Sequence, residues 1–100
     1  MFGGIASQWM DEVAYIAATR FTRMKMVTVS AEKVQFLKTV LSGTIAEIVA
    51  KIINIKRFKL YIQVEIFIEE MDSENRYKAA NAFFTFAAID DNNKPLELNI

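Results

Sequence analysis

Histidine and cysteine are both missing from this chain. Without them no Ser-His-Asp or Cys-His arrangement can be built, and most zinc sites are excluded as well. Disulfides and thiolate chemistry go with the cysteines. Any acid–base chemistry must therefore rest on carboxylates, lysine or tyrosine. Glycine and proline are nearly missing too, at three and one residues, which argues against a disordered linker. Charge of one sign is also lacking: twelve basic and twelve acidic residues cancel. A basic nucleic-acid surface is therefore not expected, and little self-repulsion opposes association. No apolar run reaches the roughly 18 residues of a membrane span. The N-terminus lacks the basic segment and apolar run of a signal peptide. A cytoplasmic protein with no membrane attachment and no nucleic-acid partner is the expectation.

What the chain does have is material for a core. Over half of its 100 residues are apolar, which suits one small domain spanning residues 1–100. The segment from Ile5 to Arg20 contains no Pro or Gly and is rich in helix-compatible residues, so a helix is predicted over about 5–20, with Gly3-Gly4 forming its N-terminal turn. Strands are predicted at about 26–36, 44–55, 58–70 and 76–89. The third alternates most clearly, with Phe58, Leu60, Ile62, Val64, Ile66 and Ile68 on one face. These strands are about twice the usual 5–6 residues, and long antiparallel strands curl through their twist. The expected fold class is α+β, a long curled antiparallel sheet wrapped around one helix. Asp72–Asn75 and Asp90–Pro95 read as polar turns.

Placed at about 100° per residue, Ile5, Trp9, Val13 and Ile16 form a bulky stripe expected to pack on the sheet. Ser7, Asp11, Ala14 and Ala18 form a second face, mostly small, with Asp11 as its one charge. An aspartate in such a helix ordinarily lies at an exposed edge or accepts a nearby N–H. A carboxylate buried without a purpose is costly, and desolvation would raise its pKa toward that of a general base. Gly3-Gly4 either frays or exposes backbone N–H groups able to hold an oxyanion. Gly4 and Asp11 lie about 10 Å apart along one helix at 1.5 Å per residue. One carbonyl cannot easily touch both, but two antiparallel copies would bring Gly4 of one to Asp11 of the other.

The series GG-x4-WMDE-x-AYIAATR, MVTVS-x5-F and FFTFAAID-x3-KP resembles the hotdog-fold acyl-CoA thioesterases, in the branch with an aspartate in the central helix. The resemblance runs in order from Gly3 to Pro95. It implies a hotdog fold, homodimers with a continuous sheet that extend to tetramers or hexamers, and hydrolysis of acyl-CoA to free acid and CoA. No cofactor is implied beyond the CoA of the substrate, and no metal. Asp11 matches the catalytic aspartate, acting as general base or nucleophile, and Gly4 matches the oxyanion-hole glycine of the facing subunit, with Gly3 beside it. Thr28 and Ser30 sit where the family's second strand lines the acyl and pantetheine channel. Histidine-dependent hotdog dehydratases do not fit this composition.

Three departures accompany the resemblance. The chain starts at the helix, without the family's first strand or the asparagine that often precedes the Gly-Gly pair. An upstream start, an unpaired sheet edge and an incomplete site are the corresponding expectations. Thr39 stands where the family usually has proline. Lys56-Arg57-Phe58-Lys59 stands where the family often has a Gly-x-x-Ser turn. That basic cluster reads either as a holder of CoA phosphates or as a solvated hairpin tip. The acidic turn Glu69, Glu70, Asp72 and Glu74 matches no calcium loop and reads as solvated. Phe83, Phe84 and Phe86 read as core. Tyr15, one helical turn from Asp11, reads as a packing residue before a site residue. The second functional reading is a truncated or degenerate hotdog that binds acyl-CoA or a protein partner without turnover.

Overall fold

The computed structural model describes residues 2–36, 44–71 and 73–98, with side chains placed for all but 2–7 and 32–36. The connection that carries Thr39 lies outside the described residues, as does Asp72. A single helix, α1 (Phe2–Thr22), is followed by strands β1 (Met26–Phe36), β2 (Thr44–Ile55), β3 (Lys59–Glu70), β4 (Arg76–Ile89) and β5 (Pro95–Leu96). The sheet is antiparallel in the order β1-β4-β3-β2, and β5 folds back to pair with β4. One curled antiparallel sheet and one helix make this an α+β hotdog architecture.

The helix takes in Gly3 and Gly4, which form its first turn. Its C-terminus is closed at Arg23, whose φ of 56° lies in the left-handed region. The Arg23 N–H donates back to the Thr19 carbonyl at 2.7 Å. The Thr22 hydroxyl donates to the Ala18 carbonyl at 2.8 Å and accepts from the Met24 N–H at 3.3 Å. Orphan groups at the helix end are thereby satisfied without a glycine.

The core lies between α1 and the inner face of the two central strands. Leu60, Ile62, Val64, Ile66 and Ile68 of β3 are buried beside Ala80, Ala82, Phe84, Phe86 and Ala88 of β4. Phe83 points the other way, since it pairs with Gln63 on the outer face, and is half-buried there. The helix contributes Met10, Ala14 and Ala18, all with no exposed surface. This corrects the expected orientation. The bulky stripe does not take the buried line: Ile16 is 55% and Trp9 40% exposed, and Val13 is half-buried at the flank over β2. The cause is steric. Alanines at i and i+4 let the helix backbone approach the sheet closely, and Met10 fills the remaining space with an adaptable side chain. Trp9 and Ile16 at the same depth would hold the helix away.

The outer face of the sheet carries ions in place of a second core. Glu65 is 3% exposed and sits between Lys51 and Lys78. Lys51 Nζ lies 2.9 Å from Oε1, and Lys78 Nζ 2.5 Å from Oε2. Hydrogen bonding from Lys78, then from Lys51, holds the Glu65 carboxyl below its ordinary 4.5, against the opposing effect of desolvation. Beside it the Gln63 amide donates to Asn81 at 2.8 Å. The Arg76 guanidinium stands 4.5 Å over the Phe67 ring and pairs with Glu47 and Glu69.

Two tests follow from this packing. Ala14→Leu overfills the seat of the helix and should cost about 1–3 kcal/mol, read as a lower urea midpoint. An unchanged midpoint would mean that the helix does not sit against the sheet at this residue. For Glu65 the folded pKa is depressed, so its stabilisation is complete above about pH 4.5 and is lost as the pH falls through the folded value. Glu65→Gln should therefore lower stability at pH 7 by about 1 kcal/mol and flatten the acid limb of the stability curve. Parallel wild-type and variant acid limbs would contradict the cluster.

Candidate active site

The helix lies across the sheet with its two flanks in different surroundings. On one flank Trp9 and Val13 form an apolar hollow with Ala46 and Ile48 of β2. On the other, a cleft of about 320 Å³ opens between the helix and β1, lined by Asp11, Glu12, Tyr15, Ile16 and Thr28. Asp11 and Tyr15 reach it together because residues four apart share a helix face. Thr28 reaches it from the strand, where it stands opposite the buried Phe86 on the helix side of the sheet.

A bulge then changes the register of β1. Thr28 pairs with Phe86, whereas Ser30 pairs with Thr85, the next residue back along β4. Residues directly opposite in an antiparallel pair share a face, so Ser30 turns to the side of the sheet away from α1. Ser30 is half-buried and does not line the cleft of Asp11. The structure thus brings Asp11 and Thr28 together and separates Ser30 from them.

Asp11 is exposed in the single chain, not buried as the composition of its helix suggests. The reason is the seating of α1: Met10, Ala14 and Ala18 take the buried line, and Asp11 is left beside it on the flank. Within one chain nothing dehydrates the carboxylate. Gly3 and Gly4, at the first turn, are among the helix residues whose N–H groups have no intrahelical acceptor. They remain about 10 Å along the axis from Asp11, so one chain does not join them to it.

Lys56, Arg57 and Lys59 lie at the exposed tip between β2 and β3. They are less free than the sequence suggests. Arg57 Nε donates to Glu97 Oε1 at 2.7 Å, and its guanidinium stands 5.3 Å over the Phe58 ring. Lys56 Nζ lies 5.6 Å over the Tyr61 ring. Lys59 borders a separate apolar hollow of about 500 Å³ with Val29, Phe58, Ala87 and Pro95. Glu97 comes to the tip because Asp90 caps a tight turn, accepting from the Asn92 and Lys94 N–H groups at 2.8 and 2.9 Å. The chain then returns along β4, and the Leu98 N–H donates to the Arg57 carbonyl at 2.8 Å.

Sequence reasoning missed the exposure of Tyr15, which lines the cleft with 45% of its surface open. It also missed Glu97, forty residues from the arginine it holds. The signal for Tyr15 was its i+4 spacing from Asp11; for Glu97 there was none short of the β5 return. In the acidic turn Glu69 pairs with Arg76, and Glu70 accepts from the Ser73 hydroxyl at 2.9 Å.

Comparison with known proteins places this geometry. Residues 1–74 match the family model described as the thioesterase superfamily. A cytosolic acyl coenzyme A thioester hydrolase of Rattus norvegicus is 31% identical over 96 residues, covering 94% of this chain and 25% of the rat protein. An acyl-CoA hydrolase from Staphylococcus aureus, solved with butyryl coenzyme A, coenzyme A and coenzyme A disulfide, superposes with a TM-score of 0.90 at 33% identity. That match covers 98% of this chain and 60% of the other. A hexameric thioesterase from Yersinia pestis superposes at 0.89 with 30% identity, over 98% and 81% of the two chains. The chain spans a quarter of the rat relative's length and well under two thirds of the Staphylococcus protein's.

Proposed function

The chain belongs to the thioesterase superfamily, and from that premise we propose that it hydrolyses acyl-CoA to the free acid and CoA, with Asp11 as the reacting carboxylate. The observation that carries this reading is the cleft in which Asp11, Tyr15 and Thr28 converge. With no histidine or cysteine in the chain, a carboxylate is the natural base. Asp11 takes a proton from water as the water oxygen bonds to the thioester carbon. The C–S bond then breaks, and the proton passes to the departing CoA sulfur. In the nucleophilic variant of this step, Asp11 bonds to the carbonyl carbon itself, the C–S bond breaks to release the CoA thiolate, and water then hydrolyses the mixed anhydride to the free acid and the Asp11 carboxylate. The negative charge on the carbonyl oxygen is taken by the Gly4 N–H of a second copy.

A second copy supplies what the single chain lacks. Tyr15 and Ile16 of the helix, which line the cleft beside the edge strand β1, leave apolar surface open. Among the described residues, β1 has no partner on its outer side. An antiparallel copy seated here covers that area, dehydrates Asp11 and delivers Gly4. The hexamer of the Yersinia relative supports assembly of this kind. Lys56, Arg57 and Lys59 are the proposed contacts for the CoA phosphates, Lys59 foremost since Arg57 is engaged by Glu97. The cytoplasm is the proposed compartment; among the described residues no helix is long and apolar enough to cross a membrane.

CoA release from short, medium and long acyl-CoAs, measured beside Asp11→Ala, tests the reading. The variant should stay folded, because an exposed side chain is removed, and should lose on the order of 10²-fold or more in kcat/KM. Full turnover in the variant would remove Asp11 from the mechanism. Absence of release by the wild type, in a folded and associated protein, would favour binding without turnover. Lys59→Glu should raise KM with kcat little changed, and the defect should shrink as salt is added. A salt-independent fall in kcat would mean that Lys59 does something other than attract phosphate.

A further inference from the structure

The cleft of Asp11 has a second end that bond cleavage itself does not use. Tyr15 lies one turn further along the helix, about 6 Å on at 1.5 Å per residue, and Ile16 follows it. Both side chains line the cleft, and both are about half exposed. An aromatic ring and a branched aliphatic chain beside a reacting carboxylate, with the Glu12 carboxylate on the same helix, make a stretch of lining that favours hydrocarbon over the amide-rich arm of CoA. A thioester placed with its carbonyl carbon at Asp11 directs one of its two substituents along this lining. The lining's chemistry selects the acyl chain for that direction. In one chain the cleft measures about 320 Å³, and the second copy proposed above closes over it.

We propose that the Tyr15 ring is the stop that limits acyl-chain length, and that it makes the site selective for short acyl groups. The inference rests on the thioesterase reading above and adds a determinant to it. Tyr15 works by bulk here. Its hydroxyl plays no part in the chemistry, so Tyr15→Phe retains the stop and Tyr15→Ala removes it. The methylenes of a longer chain then enter space that the ring had filled, each newly buried one worth about fourfold in kcat/KM.

The test is kcat/KM for butyryl-, octanoyl- and dodecanoyl-CoA with wild type, Tyr15→Phe and Tyr15→Ala, beside calorimetric binding of the non-hydrolysable thioether analogues. The dodecanoyl-to-butyryl ratio should rise on the order of tenfold or more in Tyr15→Ala, as two or more methylenes gain burial. In Tyr15→Phe the ratio should stay close to that of wild type. The analogue affinities should move the same way, and that shift supports the inference even where turnover is lost. An unchanged ratio in Tyr15→Ala, with wild-type turnover intact, would overturn the stop and leave the thioesterase reading standing. A ratio shifted as far by Tyr15→Phe would move the effect from the ring to the hydroxyl and overturn the inference. Neither turnover nor analogue binding by the wild type would overturn both.

Discussion

Met10, Ala14 and Ala18 have no exposed surface, and the depth at which they seat α1 on β3 and β4 decides where every other helix side chain points. Two alanines four apart remove the bulk that would separate helix from sheet, so the helix backbone lies close to the sheet. Once that line is buried, the rest of the helix surface is distributed by rotation alone. Asp11 and Tyr15 fall on the flank above β1; Trp9 and Val13 fall on the flank above β2. The cleft beside Asp11 is therefore a product of helix packing. A larger residue at either alanine would close or displace it.

The same seating explains what the sequence did and did not disclose. The curled antiparallel sheet around one helix was legible, because β3 alternates from Leu60 to Ile68 without interruption and the helix segment lacks breakers. Helix orientation was not legible, because hydrophobicity alone favours the side with Trp9 and Ile16. Close approach to the sheet, which favours alanine, decided the matter. Thr28 and Ser30 stand two apart and should share a face, but the bulge between them breaks that rule, and a bulge leaves little trace in composition. The fifth strand was hidden by its length of two residues and by Pro95. With it was hidden the contact between Glu97 and Arg57.

The two faces of the sheet hold to their tasks by different chemistry. Inside, aliphatic and phenylalanine side chains exclude water from the helix seat. Outside, Glu65 is shielded by two lysines, and aromatic rings lie under cations: Arg76 over Phe67 and Lys56 over Tyr61. Such contacts cover apolar rings with charged groups that water still reaches. The outer face still carries an apolar hollow at Val29, Phe58, Ala87 and Pro95, and the helix side leaves Tyr15 and Ile16 open beside β1. The open cleft beside Asp11, which lies far from Gly4 of its own chain, is the physical basis for proposing that a second copy sits on the helix side, at β1, and completes the site.

If a second copy supplies Gly4 to Asp11, activity depends on association. The measurement is a dilution series in which sedimentation and CoA release per chain are followed together. The account requires turnover per chain to fall in step with dissociation. Undiminished turnover by a chain that sediments as a monomer would contradict it, because one chain would then hold a complete site without a partner's Gly4.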